Sequence, residues 1–456
     1  MISRICFVLF LAPCVLGNGD PIDPETLHNV FGYPQYNTAA SNVATTTLSQ
    51  VLPVQPVNST LTDPDYWDVD ELPSAAVADY DKFDWVLTKR VASNSNVNFL
   101  ISPLGLKLAL AILAEAATGL TRSELSSVLG FEVDRHAVRR KFSTIVESLQ
   151  KKSPQYILNL GSRIYVEDSA QPRQRFAAIA QQFYQTELTS INFHNPQAAA
   201  ASINAWVSNT TQGKINNLVD PDDISNMVVM ILNTIYFKGT WRHQFDPNST
   251  KEGVFYTTPN QRKPVQFMRV KDKFYYAEST KFDAKILRMS YIGNKYAMYV
   301  IVPNSLTGLN MVMEGLSTLR PEMDSLHERL VDVTMPKYKF DYSSELDAVL
   351  RELGVRQAFE DTASFPGIAR GQTLAQRLRV SRVLQRSGID VNELGSVAYT
   401  ATEIALANKF GEDNESSVEV IANKPFFFFI QDEATRQLLF TGRVSDPSIV
   451  DGAFKH

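Results

Sequence analysis

Cysteine is almost absent from this sequence, which has only Cys6 and Cys14 among its 456 residues. Both lie in a short apolar segment that follows Arg4 and ends at Gly17, and the segment is too short to span a bilayer. This pattern is typical of a secretory signal peptide, with a buried N-terminal strand as the alternative. We therefore expect residues 1–17 to be removed. The mature chain then has no thiol, which excludes disulfides, zinc–thiolate sites and cysteine nucleophiles.

Concentrated positive charge and long apolar runs are lacking as well. The formal net charge is −5, whereas a nucleic-acid-binding protein carries a concentrated basic face. After the signal segment no apolar run reaches membrane-spanning length, so we expect a soluble secreted protein with neither nucleic acid nor membrane as partner. Apolar residues make up 44% of the chain, enough for a large core. Four sequons are compatible with secretion and glycosylation: Asn58, Asn209, Asn248 and Asn414.

Motifs of the common enzyme classes are missing. The sequence has no G-x-S-x-G elbow, no H-E-x-x-H, no Walker loop and no G-x-G-x-x-G. Its six histidines are scattered without the spacing of metal ligands. We therefore expect no enzymatic activity, no cofactor and no metal site. A secreted hydrolase is a third interpretation that would require measurable turnover by the mature chain.

Two regions differ in composition. Residues 18–75 are rich in Asn, Thr, Ser, Pro and Asp and have no periodicity, which predicts a flexible extension. Within it, the segment DPDYWDVDELP is acidic and aromatic. This segment is either a solvated linker, which we favour, or an interaction tail. Residues 76–456 have helical patterns early and strand patterns late, which predicts one α+β domain around large sheets. We expect a helix from Pro103 to Ala117, a capping box at Thr121 and Glu124, a doubly buried strand in MVVMILNTIYF, and a closing pair of strands joined by DEAT.

Five collinear segments resemble the signatures of the serpin family. The first three are NFLISPLGLKLALAILAEAATGLTRSEL, INAWVSNTTQGKINNLV and NTIYFKGTW. The fourth is MPKYKF together with the following LGV, AFED and ASFPGI, and the fifth is NKPFFFFIQDEATRQLLFTGRVSDP. The resemblance extends from about residue 78 to about residue 447. The resemblance implies the serpin fold: three β-sheets, about nine helices and an exposed reactive loop near the C-terminus. It also implies a monomer that inhibits serine proteases by inserting the cleaved loop into its main sheet.

The segment after Gly395 has the composition of a loop that can become a strand. It contains neither Pro nor Gly until Gly411, although ordinary surface loops use both to turn. With a period of two, small side chains fill one face, namely Ser396, Ala398, Thr400 and Thr402. The other face carries more bulk, namely Val397, Tyr399, Ala401 and Glu403. We favour an inserting strand over the alternative, a disordered linker.

The family resemblance assigns roles within this loop. The hinge is Glu393, Gly395, Ser396, Ala398, Thr400, Ala401 and Thr402, with Leu394, Val397 and Tyr399 departing from the usual charged or small residues. The usual loop length places the scissile bond between Lys409 and Phe410. Lysine before that bond selects trypsin-like proteases, whose specificity pocket holds an aspartate, and Lys409 is the only basic residue between Arg386 and Lys424.

Further residues match the conformational gates of the family. Trp241 matches the breach beneath the hinge, and Ser102, Asn233 and Gln385 match the shutter, where Gln385 replaces a frequent histidine and Gly105 a frequent serine. Plain core packing is the alternative for all of them.

A cluster of basic residues lies in the expected fourth helix. It forms either a solvated charged face, which we favour, or a weak site for sulfated polysaccharide. The residues are Arg135, Arg139, Arg140, Lys141, Lys151 and Lys152.

The sequence ALANKFG most resembles insect serpins that restrain clip-domain proteases in prophenoloxidase activation and Toll signalling. That resemblance implies a haemolymph glycoprotein that regulates melanization and innate immunity. The rival interpretation is a non-inhibitory serpin acting as a carrier, storage protein or chaperone. Such members usually place charged residues, bulky residues or proline on the inward face of the hinge, whereas here that face is small.

Overall fold

A computed structural model of the protein describes residues 82–449 and 451–452, apart from 95, 132–133, 151–152, 154, 171, 212, 214–216, 370–377 and 397–415. The expected signal peptide, the extension, the domain boundary at residue 76 and Asn58 lie outside the described residues. Within them, no helix has the length and apolar character needed to cross a membrane.

Nine α-helices occur in the described residues, as expected. They are α1 Lys82–Ser93, α2 Pro103–Ala116, α3 Gly119–Leu129, α4 Arg135–Gln150, α5 Gln174–Tyr184, α6 Pro196–Thr210, α7 Leu309–Glu314, α8 Arg320–Asp324 and α9 Asp347–Leu353. Helix α2 is largely apolar and buried along its whole length, which marks it as the central core helix. Its two charged residues are paired, Lys107 with Asp84 and Glu115 with Arg139. Its start is confirmed at Pro103, with Ser102 as the N-cap whose hydroxyl accepts a hydrogen bond from the backbone N–H of Gly105.

The predicted capping box at the start of α3 is wrong. The helix begins three residues earlier, with Thr118 at the N-cap and no side-chain cap. The Thr121 hydroxyl instead accepts from the backbone N–H of Ser364 at 3.0 Å. The Glu124 carboxylate accepts from the backbone N–H groups of Arg356 and Gln357. Both side chains serve tertiary contacts, which sequence spacing alone does not distinguish from capping.

Sixteen strands form the sheets of the described residues. They are β1 Phe99–Ile101, β2 Tyr156–Glu167, β3 Thr186–Ile191, β4 Val229–Thr240, β5 Lys251–Thr258, β6 Gln261–Ser279, β7 Ala284–Ser290, β8 Tyr296–Pro303, β9 His327–Pro336, β10 Tyr338–Glu345, β11 Val380–Asn392, β12 Gly395–Ser396, β13 Val418–Ile421, β14 Phe426–Asp432, β15 Leu438–Val444 and β16 Asp451–Gly452. The predicted doubly buried strand is β4, which is confirmed.

The strands form two hydrogen-bonded sheets, and the larger sheet consists of two groups of strands that share β6. A seven-stranded sheet has the order β16-β10-β11-β12-β4-β2-β3. A nine-stranded sheet has the order β1-β15-β14-β8-β7-β6-β9-β13, with β5 beside β6. The 19-residue strand β6 pairs with β5 along its first part, with β9 through its middle and with β7 along its end. The three expected sheets are therefore the seven-stranded sheet and two groups that share β6.

The predicted C-terminal pair of strands is β14 and β15. They are antiparallel, and Phe427, Phe428 and Phe429 are fully buried. The turn between them is fixed by Asp432, whose Oδ1 accepts from the backbone N–H groups of Ala434 and Thr435. Strand β14 also pairs with β8 on its other side, so it is an interior strand of the nine-stranded sheet.

Candidate functional site

The site is the space between β4 and β11 in the seven-stranded sheet. Over part of their length the two strands pair directly and in parallel, from Val229 to Ile235 against Val380 to Ser387. We call this direct pairing the β4–β11 seam. Beyond it the strands separate, and the short strand β12 lies between them, antiparallel to both. Because β12 consists of Gly395 and Ser396, the start of the predicted hinge already occupies the sheet.

Gly395 allows this entry because its backbone lies very close to β4. Its φ is 155°, and a Cβ atom at this position would lie 2.0 Å from the carbonyl oxygen of Gly239. A backbone oxygen cannot be displaced as a flexible side chain can. The position therefore requires glycine for both steric and conformational reasons.

Ser396 is bound to an aromatic pair beneath the sheet. Its side chain is buried, and its hydroxyl is 2.7 Å from the hydroxyl of Tyr291. The Tyr291 ring stacks on Trp241, with ring centroids 4.5 Å apart, and the Trp241 indole donates to the carbonyl of Asn392 at 3.0 Å. Burial raises the pKa of Tyr291 far above its ordinary value, so the phenol stays neutral and able to donate. The structure thus brings the predicted breach residue Trp241 next to the predicted hinge.

Glu393 anchors the hinge just before it enters the sheet. The Thr250 hydroxyl donates to Glu393 Oε1 at 2.7 Å, and Lys337 Nζ lies 3.0 Å from Oε2. Burial by itself would raise the pKa of Glu393, but these partners outweigh it and hold the pKa below its ordinary value. The backbone adds two further bonds, because the carbonyls of Glu393 and Leu394 accept from Phe245 and Trp241.

The predicted shutter residues form one hydrogen-bonded network across the β4–β11 seam. Gln385 Oε1 accepts from the backbone N–H of Ser102 at 2.7 Å, and Gln385 Nε2 donates to the Ser102 carbonyl at 2.9 Å. The same Nε2 donates to Asn233 Oδ1 at 3.0 Å, and Asn233 donates to the Gly161 carbonyl at 3.3 Å. All three predicted side chains are buried. The network links β11, β4 and β2 to the start of α2, so separating β4 from β11 breaks it.

Gly105 explains how Asn233 fits into this network. A Cβ atom on Gly105 would lie 2.1 Å from Asn233 Oδ1, so any larger residue would displace the amide. The absence of the frequent serine at this position therefore makes room for the amide that Gln385 binds. The sequence marked Gly105 as a departure from the family pattern, but it did not show this steric reason.

Four residues of the site were missed by reasoning from the sequence: Gly239, Thr250, Tyr291 and Lys337. Tyr291 and Lys337 follow β7 and β9, and Thr250 precedes β5, so each reaches the hinge only through tertiary structure. The predicted Ala398, Thr400, Ala401, Thr402, Lys409, Phe410 and Asn414 lie outside the described residues. The sequon residues Asn209 and Asn248 are described, and both are exposed.

The predicted basic surface of α4 is already partly occupied by structural contacts. Arg139 forms an ion pair with the buried carboxylate of Glu115, and Arg135 donates to the carbonyl of Ala117 at 3.2 Å. Arg140 is exposed. Lys151 and Lys152 lie outside the described residues. The structure therefore assigns packing roles to two of the six basic residues.

Comparison with known proteins gives a consistent result. The family model described as Serpin (serine protease inhibitor) matches residues 78–447. The chain is 38% identical over 376 residues to serine protease inhibitor 2 of Anopheles gambiae, covering 80% of this chain and 91% of that protein. It is 32% identical to serine protease inhibitor 42Dd of Drosophila melanogaster, covering 78% of this chain and 93% of that protein.

A solved structure supports the same assignment of the fold. The crystal structure of Serpin48, a highly specific serpin in the insect Tenebrio molitor, superposes with a TM-score of 0.73 at 30% identity. The match covers 80% of this chain and 96% of that chain.

Proposed function

The chain belongs to the serpin family, and from that premise we propose that it is a secreted suicide-substrate inhibitor of trypsin-like serine proteases. The observation that carries this proposal is the position of β12, where Gly395 and Ser396 lie between β4 and β11. A loop whose first residues are already buried in the sheet has a path along which the rest can follow. The small residues at alternate positions after Ser396 fit that path.

The proposed reaction begins as ordinary proteolysis. The serine of the protease attacks the carbonyl carbon of Lys409, the Phe410 amine leaves, and an acyl-enzyme ester on Lys409 remains. The freed segment then extends β12 between β4 and β11. About a dozen inserted residues, at roughly 0.5–1.5 kcal/mol net per hydrogen bond, release on the order of 10 kcal/mol. This free energy drives displacement of the bound protease before water hydrolyses the ester.

Insertion has an opposing cost in the seam. The direct parallel pairing of β4 with β11 has to open, together with the Gln385 network. Each strand regains a hydrogen-bonded partner once the loop lies between them. Opening the seam therefore raises the free-energy barrier to insertion, whereas it costs the inserted state little. The uncleaved protein is therefore held in a metastable state whose release depends on proteolysis.

The first experiment is incubation of the purified protein with trypsin, followed by denaturing electrophoresis. We expect a covalent complex that survives SDS, and a released C-terminal peptide beginning at Phe410 by mass spectrometry. Lys409→Gln removes the basic side chain and should abolish the complex with trypsin while leaving the folded protein intact. A peptide with another N-terminus would move the scissile bond, and clean cleavage without complex would instead favour a non-inhibitory serpin.

A hinge variant separates inhibition from mere cleavage. Ser396→Arg places a long charged side chain where a buried hydroxyl now contacts Tyr291. We expect trypsin to cleave this variant at Lys409 at the wild-type rate but to escape without a stable complex, because a buried unpaired charge opposes insertion. Ser396→Ala, which keeps the small size, is the matched control and should still form the complex. Equal complex yields from Arg and Ala variants would contradict insertion through this site.

We also propose a physiological setting, namely restraint of clip-domain proteases in melanization and Toll signalling in the haemolymph. The ALANKFG sequence supports it, as do the two insect relatives that carry the name serine protease inhibitor. The protein is further proposed to be a monomeric glycoprotein whose exposed Asn209 and Asn248 carry glycans. For the basic surface of α4 we propose at most weak binding of sulfated polysaccharide, because Arg135 and Arg139 are engaged in packing.

A further inference from the structure

A polar pocket of about 260 Å³ lies where the ends of β7 and β8 meet β13. Its walls include Lys285 from β7, Asn304 after β8, Glu419 and Ile421 from β13, and Lys424. No residue of the hinge or the shutter takes part in it. The pocket lies on the nine-stranded sheet and is therefore separate from the site described above.

The two lysines are held by backbone oxygens rather than by carboxylates. Lys285 Nζ donates to the carbonyl of Glu419 at 2.7 Å, and Lys424 Nζ donates to the carbonyl of Asn304 at 2.8 Å. Across the part of the chain that the structure describes, neither ammonium forms an ion pair. Because an ammonium has three donors, each retains the capacity to bind a further acceptor.

The pocket brings two positive charges together, those of Lys285 and Lys424. Burial and the neighbouring charge of Lys285 lower the pKa of Lys424, and Asp283 offsets this only in part. The Asp283 carboxylate is itself engaged, because Asn304 donates to its Oδ1 at 2.9 Å. Glu419 offers its carbonyl to Lys285, and its side chain is exposed. An external carboxylate would relieve the repulsion between the two ammonium groups.

The chain sequence places this pocket close to the expected point of protease attack. Strand β13 begins at Val418, nine residues after Lys409, and nine residues span roughly 30 Å at most. A protease bound at Lys409 is thus tethered beside the strand that forms one wall of the pocket. The exposed side chain of Ile421, at the rim, offers an apolar contact next to the charges.

We propose that this Lys285–Lys424 pocket is a secondary docking site that accepts a carboxylate side chain from the surface of the target protease. This inference rests on the proposed function and specifies the chemistry of the partner: a trypsin-like protease with an acidic surface beside its active site. The net charge of the whole chain is −5 and would repel such a protease at long range. The attraction that the proposal requires is therefore local, between the two ammonium groups of the pocket and the carboxylate of the protease.

The test compares anionic and cationic trypsin, which share lysine specificity but differ in surface charge. Second-order rate constants of inhibition are measured for the wild type and for the double variant Lys285→Gln/Lys424→Gln. We expect the variant to lose about tenfold in rate with anionic trypsin and less than about twofold with cationic trypsin. In about 1 M salt, where the Debye length falls to about 3 Å, the tenfold difference should largely disappear.

The matched control is Arg173→Gln/Arg175→Gln, which removes the same charge from the exposed start of α5. It should leave both rate constants unchanged. Equal losses with the two trypsins, or none, would overturn the docking site. An equal loss accompanied by a lower melting temperature would show that the lysines act only in packing, which also overturns it. Failure of the wild type to form a complex with either trypsin would instead refute the proposed function.

Discussion

The two ends of the space between β4 and β11 are held by different chemistry. At the hinge end the space is filled by a glycine and a serine over the stacked rings of Trp241 and Tyr291. In the seam the strands pair directly, and Gln385 connects them to α2. The hinge end is therefore already occupied by inserted chain, whereas the seam must be opened. The difference suggests that insertion starts without a barrier of its own and that the seam sets its rate.

The largest effect should come from blocking the hinge end with Gly395→Ala. The added Cβ meets the carbonyl oxygen of Gly239 and demands an unfavourable φ, at a cost of about 1–3 kcal/mol or more. We expect the yield of SDS-stable trypsin complex to fall by about tenfold in favour of cleaved, uncomplexed protein. Densitometry after reaction with excess trypsin measures this. Leu394→Ala, beside it in the chain, is the control, and an unchanged yield for Gly395→Ala would show that entry does not need this close approach.

An intermediate effect should come from loosening the seam with Gln385→Leu. The substitution leaves the backbone N–H of Ser102 and the Oδ1 of Asn233 without their partner, at about 1–3 kcal/mol per buried group. The Ser102 carbonyl keeps a second hydrogen bond, which the backbone N–H of Leu106 donates at 3.2 Å. We expect a synthetic peptide with the sequence of residues 396–409 to anneal into the uncleaved variant about fivefold faster than into the wild type. Native electrophoresis over time follows the annealing.

Ser102→Ala is the matched control for the seam. It removes only the hydroxyl that caps α2 and keeps the backbone groups that bind Gln385. It should lower thermal stability by about 1 kcal/mol without speeding peptide annealing. If both variants accelerate annealing equally, general destabilisation rather than the bridge across the seam controls opening.

The smallest effect concerns Glu393 and pH. Because its folded-state pKa lies below the ordinary value of 4.5, its stabilising contribution is complete above that value. The contribution is lost as the pH falls through the lowered folded value. We expect Glu393→Gln to lower the free energy of unfolding at pH 7 by about 0.5 kcal/mol, since the Lys337 partner is partly exposed. Chemical denaturation should show this difference unchanged from pH 7 to pH 5 and vanishing in stronger acid; a difference that grows in acid would contradict the anchor.

Much of the fold could be predicted because it depends on local patterns. The largely apolar α2 with proline at its start, the buried β4 and the β14–β15 pair are each set by composition within a short window. The prediction of a capping box was wrong because it also relied on a local pattern. Thr121 and Glu124 satisfy a local spacing rule, but their hydrogen bonds go to segments more than 200 residues away in sequence.

The site could be predicted where the family resemblance assigns a role to its residues. Asn233 and Trp241 lie in the matched segment NTIYFKGTW, whereas Gln385 was placed by its position although it departs from the family pattern. The structure brings all three to the space between β4 and β11. Thr250 and Lys337 were not predicted, because nothing near them in the sequence resembles an anchor for Glu393. Their role arises when the start of β5 and the residue after β9 converge on the hinge.

The interior position of β14 determines what a cut at Lys409 leaves behind. This strand lies between β15 and β8, with its phenylalanines fully buried, so the downstream piece remains clamped in the sheet. The nicked molecule stays a single particle made of two covalent pieces. It separates only in denaturant, and its size in native buffer conceals that the bond has been broken.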